Sequence, residues 1–217
     1  MKNIEIIHTA DGSNTIYLPE LDENYHSIKG AITESQHIFI ACGLSQLRTL
    51  PQLTVLEIGF GTGLNTYLTA KYNQTTDQKI SYVTLEKNPL SWNTVYQLNY
   101  TSDKLFETIH TADWNIKTDL TPQFSLLKLE ADFTKKPKLP STVDVVYFDA
   151  FAPEKQEEMW SKELFDYLYV SMNRGGVLTT YCSKGVIRRR LQEVGFEVER
   201  LPGPPNGKRE ILRATKK

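Results

Sequence analysis

The chain has 217 residues, 40% of them hydrophobic and 24% charged, with a formal net charge of −1. That composition describes one well-filled globular α/β domain and leaves little room for a second full one. No apolar run approaches the roughly 18 residues that a membrane span needs. The charge is uneven: residues 184–217 carry ten Lys/Arg against four Glu, +6, which leaves −7 for 1–183. Such a basic quarter either docks a polyanion or is a solvated face of mixed charge. Residues 1–5 lack the apolar core of a secretory leader. Cys42 and Cys182 match no metal or redox spacing. Both features predict a cytoplasmic protein with free thiols.

In chain order, 4–8 and 15–18 flank Thr9-Ala10-Asp11-Gly12-Ser13-Asn14, a turn signal that predicts a hairpin. Residues 22–30 read as polar loop. A helix is expected over 33–47, with Thr33 as its cap and Ile38, Ala41, Leu44 and Leu47 on one face. Residues 1–50 thus read as an extension packed on a core domain of 51–217. Strands are predicted at 53–58, 80–85, 124–130, 143–148 and 177–181. Helices are predicted at 64–72, from Pro89 to about 100, at 161–172 and at 186–194. Region 101–122 holds two short helices at most, and 196–201 pairs antiparallel with 209–213. Apolar strands alternating with helices imply a doubly wound, mostly parallel sheet, whose ligands bind beyond the carboxyl ends of the strands.

Residues 55–65 organise this core. An apolar run reaches Glu57, then Gly59, Gly61 and Gly63 alternate before a helix begins. A dinucleotide fingerprint would place glycine at Leu64, and no phosphate-binding lysine follows. An acidic strand end suits a ligand with a cationic group, such as S-adenosylmethionine with its ammonium and sulfonium. Glu57, Glu86, Asp132 and Asp149 are expected to gather in one crevice. Glu86, 23 residues beyond Gly63, suits both ribose hydroxyls. Asp132, with Glu130 competing, suits the adenine amino group. Asp149 lies where a reacting centre would sit; it can orient an amine acceptor and receive its proton. Phe151 and Trp160 form a platform for a planar ring, unless Trp160 merely packs at a helix start. His8, His26, His37 and His110 show no ligand spacing and no role, and no metal is expected.

The stretches Glu57-Ile58-Gly59-Phe60-Gly61-Thr62-Gly63-Leu64-Asn65, Glu86-Lys87-Asn88-Pro89, Asp149-Ala150-Phe151-Ala152-Pro153, Met159-Trp160 and Gly207-Lys208-Arg209-Glu210 resemble one family. It is the tRNA 5-aminomethyl-2-thiouridine methyltransferase family. In many bacteria that activity is half of a bifunctional wobble-uridine enzyme whose other half is a flavin oxidase. The resemblance implies a Rossmann-like class I fold and S-adenosylmethionine as cofactor. It implies methylation of the aminomethyl nitrogen on the wobble uridine of a tRNA anticodon loop. Carried onto this chain, the cofactor set is Glu57, Gly59, Phe60, Gly61, Gly63, Asn65, Glu86, Lys87, Asp132, Asp149, Ala150 and Phe151. The substrate and tRNA set is Tyr25, Glu34, Phe151, Pro153, Lys155, Trp160, Arg188, Arg189, Lys208 and Arg209, with Asp149 catalytic. Glu157 stands where the family usually has proline, 202–207 has one extra residue, and Ile211 replaces a common methionine. With no oxidase half, the chain is expected to be the stand-alone methylase, linked to a separate wobble-uridine oxidase.

Two other readings compete. One keeps the fold with a small amine as acceptor, or with aminopropyl transfer; the other is a non-catalytic tRNA- or cofactor-binding module.

Overall fold

Alternation along the strands builds the core. In β4 (Gln52–Ile58) and β8 (Val143–Phe148), Val55 and Val145 face one helical layer, while Leu56, Ile58, Val146 and Phe148 face the other. Period-two side-chain placement makes a strand that is apolar on both faces a central strand. The computed structural model describes residues 4–217; residues 1–3, the start of the stretch read for a leader, lie outside the described residues. Its main sheet has eight strands in the order β10-β11-β9-β8-β4-β5-β7-β6. β5 is Lys79–Glu86, β6 Lys117–Thr121, β7 Phe124–Glu130, β9 Met172–Thr180, β10 Phe196–Pro202 and β11 Glu210–Lys216. The five strands β9-β8-β4-β5-β7 run parallel, and β11, β10 and β6 are antiparallel to their neighbours. The chain runs outward from β4 through β5 to β7, then returns to place β8 on the other side of β4. That reversal opens a crevice at the ends of β4 and β8.

Helices α2 (Leu64–Asn73), α5 (Lys162–Ser171) and α6 (Gly185–Glu193) lie close to their expected positions. Ser161 caps α5 through its hydroxyl, and Leu164, Phe165, Leu168 and Met172 are buried as the periodicity required. The N-terminal hairpin forms from β1 (Glu5–His8) and β2 (Asn14–Leu18), joined by a short third strand, β3 (Glu23–Asn24), within the stretch read as loop.

Other expectations are corrected. The helix over 33–47 is α1 (Ala31–Ser35), a π-wound continuation over Gln36–Ala41, and a separate 3₁₀ turn at Leu44–Leu47. It breaks at Gly43, where a Cβ would lie 2.6 Å from the Phe39 carbonyl oxygen and 3.0 Å from Thr179 Oγ1. Ala41 is consequently exposed, although Ile38 and Leu44 are buried. Thr33 does not cap this helix. Its N–H and hydroxyl both donate to Asp11 Oδ2 at 2.9 Å, so the hairpin turn caps α1 from outside. The helix expected to reach residue 100 is α3 (Trp92–Tyr96), capped by Ser91. Region 101–122 holds one helix, α4 (Lys104–Thr111), and the edge strand β6. β6 buries no residue fully, so it carries no hydrophobic alternation to read.

Glu57 is the main correction. β4 continues to Ile58, so Glu57 shares the face of Leu53 and Val55 and points beneath α2, away from the crevice. It is fully buried, and Thr66 Oγ1 donates to its Oε2 at 3.0 Å. Burial is the largest influence on its proton affinity, outweighing the hydrogen bond from Thr66, and its pKa is pushed up to about 8.

Two predictions follow from this architecture. Asp11 is held below the ordinary carboxylate range: partial burial opposes ionisation, but hydrogen bonds from Ser13, Thr33 and Thr9 outweigh it. A lowered folded value gives stability that is present above the unfolded value and lost as pH falls. Asp11→Ala therefore lowers urea-unfolding stability at pH 7 by about 1 kcal/mol, and the deficit shrinks below about pH 4. For Glu57 the sign reverses. Between the free carboxyl value and about 8 the folded state holds the extra proton, so this group makes stability fall as pH rises through that window. Glu57→Gln removes a slope of up to about 1.4 kcal/mol per pH unit. A stability profile unchanged by Glu57→Gln would show that the buried carboxyl is ionised in the fold.

Candidate functional site

Four strand exits meet on one edge of the sheet. The turn after β4 carries Gly59, Gly61 and Gly63, all at positive φ. Gly59 passes so close to β8 that a Cβ would lie 3.0 Å from the Asp149 carbonyl oxygen. Gly63 opens α2 at φ 70, and a side chain there would strike His110 and Phe60. The glycines are therefore needed both for the turn and for close approach. Glu86, the last residue of β5, ties the turn down: its carboxylate accepts from Gly61 N–H at 3.0 Å and from Asn88 N–H at 2.8 Å. Asp132 accepts from Thr134 and pairs with Lys87 at 3.0 Å. These contacts hold its carboxyl below the usual range: the Thr134 hydroxyl contributes most, partial burial opposes it, and Lys87 adds to the lowering.

These exits line a cleft of about 970 Å³, part of it open to solvent. Its walls include Gly59, Phe60, Gly61, Glu86, Lys87, Asp132, Asp149, Ala150 and Phe151 from the predicted cofactor set. Glu57, Gly63 and Asn65 do not line it. Asp132 lines it and Glu130, exposed at the end of β7, does not. Phe60 borders the cleft, yet its side chain is buried against His110 and Trp114, at 5.1 and 5.6 Å between centroids. Leu18, Leu21, Tyr25 and His26 complete the cleft from the N-terminal segment. Apolar walls at Ile58, Leu85 and Phe133, bare glycine backbone, and carboxylates at the rim suit a nucleoside with a cationic tail.

A second cavity adjoins the first. It is lined by Glu23, Glu34, Tyr181 and Lys208, and it shares Tyr25, His26, Asp149, Ala150 and Phe151 with the cleft. Asp149 thus faces both. Three consecutive residues there are pinned from three directions. Asn65 Nδ2 donates to Asp149 Oδ2 at 2.8 Å, Tyr181 hydroxyl to Ala150 O at 2.9 Å, and Trp160 Nε1 to Phe151 O at 2.8 Å. Asn65 acts through Asp149 and has no place on the cleft wall. Burial and the neighbouring Glu34 charge push Asp149 up to about 7, against the opposing pull of Asn65 and Lys208.

Of the predicted substrate set, Tyr25, Glu34, Phe151 and Lys208 line this second cavity. Tyr25 and Phe151 form the aromatic pair, edge to face at 5.1 Å. Trp160 does not provide a platform: it is completely buried, its indole N–H is spent on Phe151, and Phe148 packs on it at 4.9 Å. Lys155 pairs with Asp22, and Pro153, Arg188, Arg189 and Arg209 lie outside both cavities. Lys208 stands over the Tyr181 ring at 3.8 Å. His26 escaped the sequence reading because a lone histidine carries no spacing signal. It is buried, shares a hydrogen bond with Thr62 Oγ1 at 2.7 Å, and is pushed down to about 4 by burial, hence neutral. Among the described residues no acid, histidine or cysteine cluster has metal-binding form, and no helix is long and apolar enough to cross a membrane.

Comparison with known proteins supplies the family. A family model described as S-adenosyl-L-methionine-dependent methyltransferase matches residues 78–217. The tRNA 5-methylaminomethyl-2-thiouridine biosynthesis bifunctional protein MnmC of Cupriavidus necator is 32% identical over 202 residues, covering 86% of this chain and 31% of that protein. Its counterpart from Burkholderia multivorans is 30% identical over 221 residues, covering 91% and 33%. The chain therefore spans about a third of the length of these relatives. The crystal structure of MNMC2 from Aquifex aeolicus superposes with a TM-score of 0.82 at 25% identity, covering 100% of this chain and 72% of that one. Spermidine synthase from Thermotoga maritima shares the fold, with a TM-score of 0.64 at 14% identity over 99% and 69% of the two chains. The sheet order, the glycine turn and the family match agree, and the chain belongs to the S-adenosyl-L-methionine-dependent methyltransferases.

Proposed function

We propose that this methyltransferase transfers a methyl group to the aminomethyl nitrogen of 5-aminomethyl-2-thiouridine at the wobble position of tRNA. The observation that carries this reading is the junction of the two cavities at Asp149, with aromatic rings and carboxylates around the second. The relatives named for 5-methylaminomethyl-2-thiouridine biosynthesis point to the same acceptor.

S-adenosylmethionine, bound in the cleft, supplies a methyl group activated on sulfonium. Glu86 keeps one lone pair on each oxygen after its backbone contacts and would hold the ribose hydroxyls. Asp132 would receive the adenine amino group, and the bare backbone at Gly59 and Gly61 would admit the rest of the cofactor. Tyr25 and Phe151 would stack on the extruded base; a wobble nucleotide already sits in a loop, so extrusion costs on the order of a few kcal/mol. Asp149 orients the amine and takes its proton. A base with a value near 7 is well matched to this task at neutral pH. Lys208 sits closest to the acceptor cavity, with Lys155, Arg188, Arg189 and Arg209 further out as phosphate contacts. A separate wobble-uridine oxidase belongs with this reaction, which we place in the cytoplasm with its tRNA.

The deciding experiment is methyl transfer from labelled S-adenosylmethionine to bulk tRNA from cells lacking this protein, followed by nucleoside analysis. Label is expected in 5-methylaminomethyl-2-thiouridine; a protein that binds cofactor but labels no tRNA would redirect the reading to a small amine. Transfer should rise with pH through about 7 as Asp149 ionises. Asp149→Ala should lower transfer by about 10²- to 10⁴-fold with cofactor binding still detectable. Equal loss of binding and transfer would instead assign Asp149 to the cofactor alone.

A further inference from the structure

Glu34 and Asp149 share an unusual economy in the second cavity. Each carboxylate spends one oxygen on the protein and leaves the other without a donor among the described residues. Asp149 Oδ2 accepts from Asn65, and Glu34 Oε2 accepts from Ser27 N–H at 2.9 Å. Asp149 Oδ1 and Glu34 Oε1 have no such partner. Glu34 is only 9% exposed, yet it lines the cavity beside Asp149. Both free oxygens are open to the cavity, so the arrangement is suited to a ligand that brings donors.

Resting on the acceptor proposed above, we infer that Glu34 and Asp149 each take one N–H hydrogen of a primary amine, and that this pair limits the enzyme to one methyl per nitrogen. A neutral primary amine has two hydrogens for the two free oxygens and one lone pair left for the cleft. That lone pair forms the new N–C bond as the C–S bond breaks, its electrons remaining on sulfur. One proton then passes from nitrogen to Asp149 Oδ1, and Glu34 keeps the other hydrogen bond. The product is a secondary amine. To react again it would have to turn a methyl group toward one carboxylate, leaving that oxygen facing a group with no donor. The penalty corresponds to about 10- to 100-fold against a second transfer.

The surroundings of Asp149 fit this division of labour. Glu34 comes from α1, Lys208 from the turn before β11, and Glu57 from β4. Tyr181 follows β9, and Glu23, Tyr25 and His26 reach in from β3 and the loop after it. Lys208 makes no ion pair within 4 Å among the described residues, and its close contact is the Tyr181 ring. The Glu34 charge adds to burial in raising the proton affinity of Asp149.

Glu34→Gln tests this directly. Glutamine can still accept from Ser27, but it then presents an NH₂ group to the cavity. Methyl transfer to tRNA bearing the aminomethyl group should fall about 10- to 100-fold, while the preference for that substrate over its monomethylated form collapses toward one. An unchanged preference would overturn the inference, whereas absence of transfer by the wild-type protein would overturn only the tRNA reading. A second measurement needs neither cofactor nor turnover. Cofactor-free wild-type protein should bind 5-aminomethyluridine more tightly than its N,N-dimethyl counterpart by about tenfold, and equal binding of the two, or binding of neither, overturns the pair. In the same protein, carbon-detected NMR should show the Asp149 midpoint falling by about one pH unit in Glu34→Gln; an unmoved midpoint counts against the coupling.

Discussion

The structure depends on how Asp149-Ala150-Phe151 leaves β8. The strand order reverses beside β4, so this exit and the glycine turn run against each other with no room for a side chain at Gly59. Anchors from α2, from the end of β9 and from the segment before α5 then hold three successive residues. A carboxylate fixed in this way costs little to orient when an acceptor arrives. Its partial withdrawal from water raises its proton affinity into the range where a base works at neutral pH.

Other buried polar groups serve to support that edge. Lys128 on β7 is almost wholly buried; its ammonium donates to His110 O at 2.7 Å and lies over the rings of Phe60 and Trp114. His110 in turn shares a hydrogen bond with Thr62 O in the glycine turn. Burial pushes both Lys128 and His110 down, to about 8 and about 4. This chain of contacts explains why the Phe60 side chain turns inward: it forms part of the scaffold under the turn, and the backbone above it remains free for a ligand.

The N-terminal segment is as much a part of the site as the Rossmann-like sheet. Ile16 and Leu18 pack with Val95, Leu98 and Phe106, which fastens the hairpin to the outer helices. That anchoring lets Leu18, Leu21, Tyr25 and His26 close the cleft, and Glu23 and Glu34 furnish the second cavity. Asp11 joins the two halves of the segment by capping α1 from the hairpin turn. The second cavity is thus furnished largely from outside the sheet.

Local signals sufficed for much of this protein. The central strands are apolar on both faces, the glycine spacing excludes a dinucleotide turn, and acids stand at the end of β5 and just beyond β8; each depends on a few adjacent residues and was legible in the sequence. Motif resemblance carried Tyr25, Glu34 and Lys208 to their cavity. What local pattern cannot carry is the direction of a side chain near a strand end. Glu57, one residue before the end of β4, turned beneath α2, and local sequence left Trp160 open between a platform and a packing residue at a helix start. β6 left no trace because an edge strand with no fully buried residue shows no alternation, and the break at Gly43 follows from its approach to Thr179, far away in sequence. Composition and spacing determined the class of ligand, since those are properties of neighbouring residues. Only the tertiary structure decided which oxygens remain free to meet it, because that depends on which distant donors have already claimed the rest.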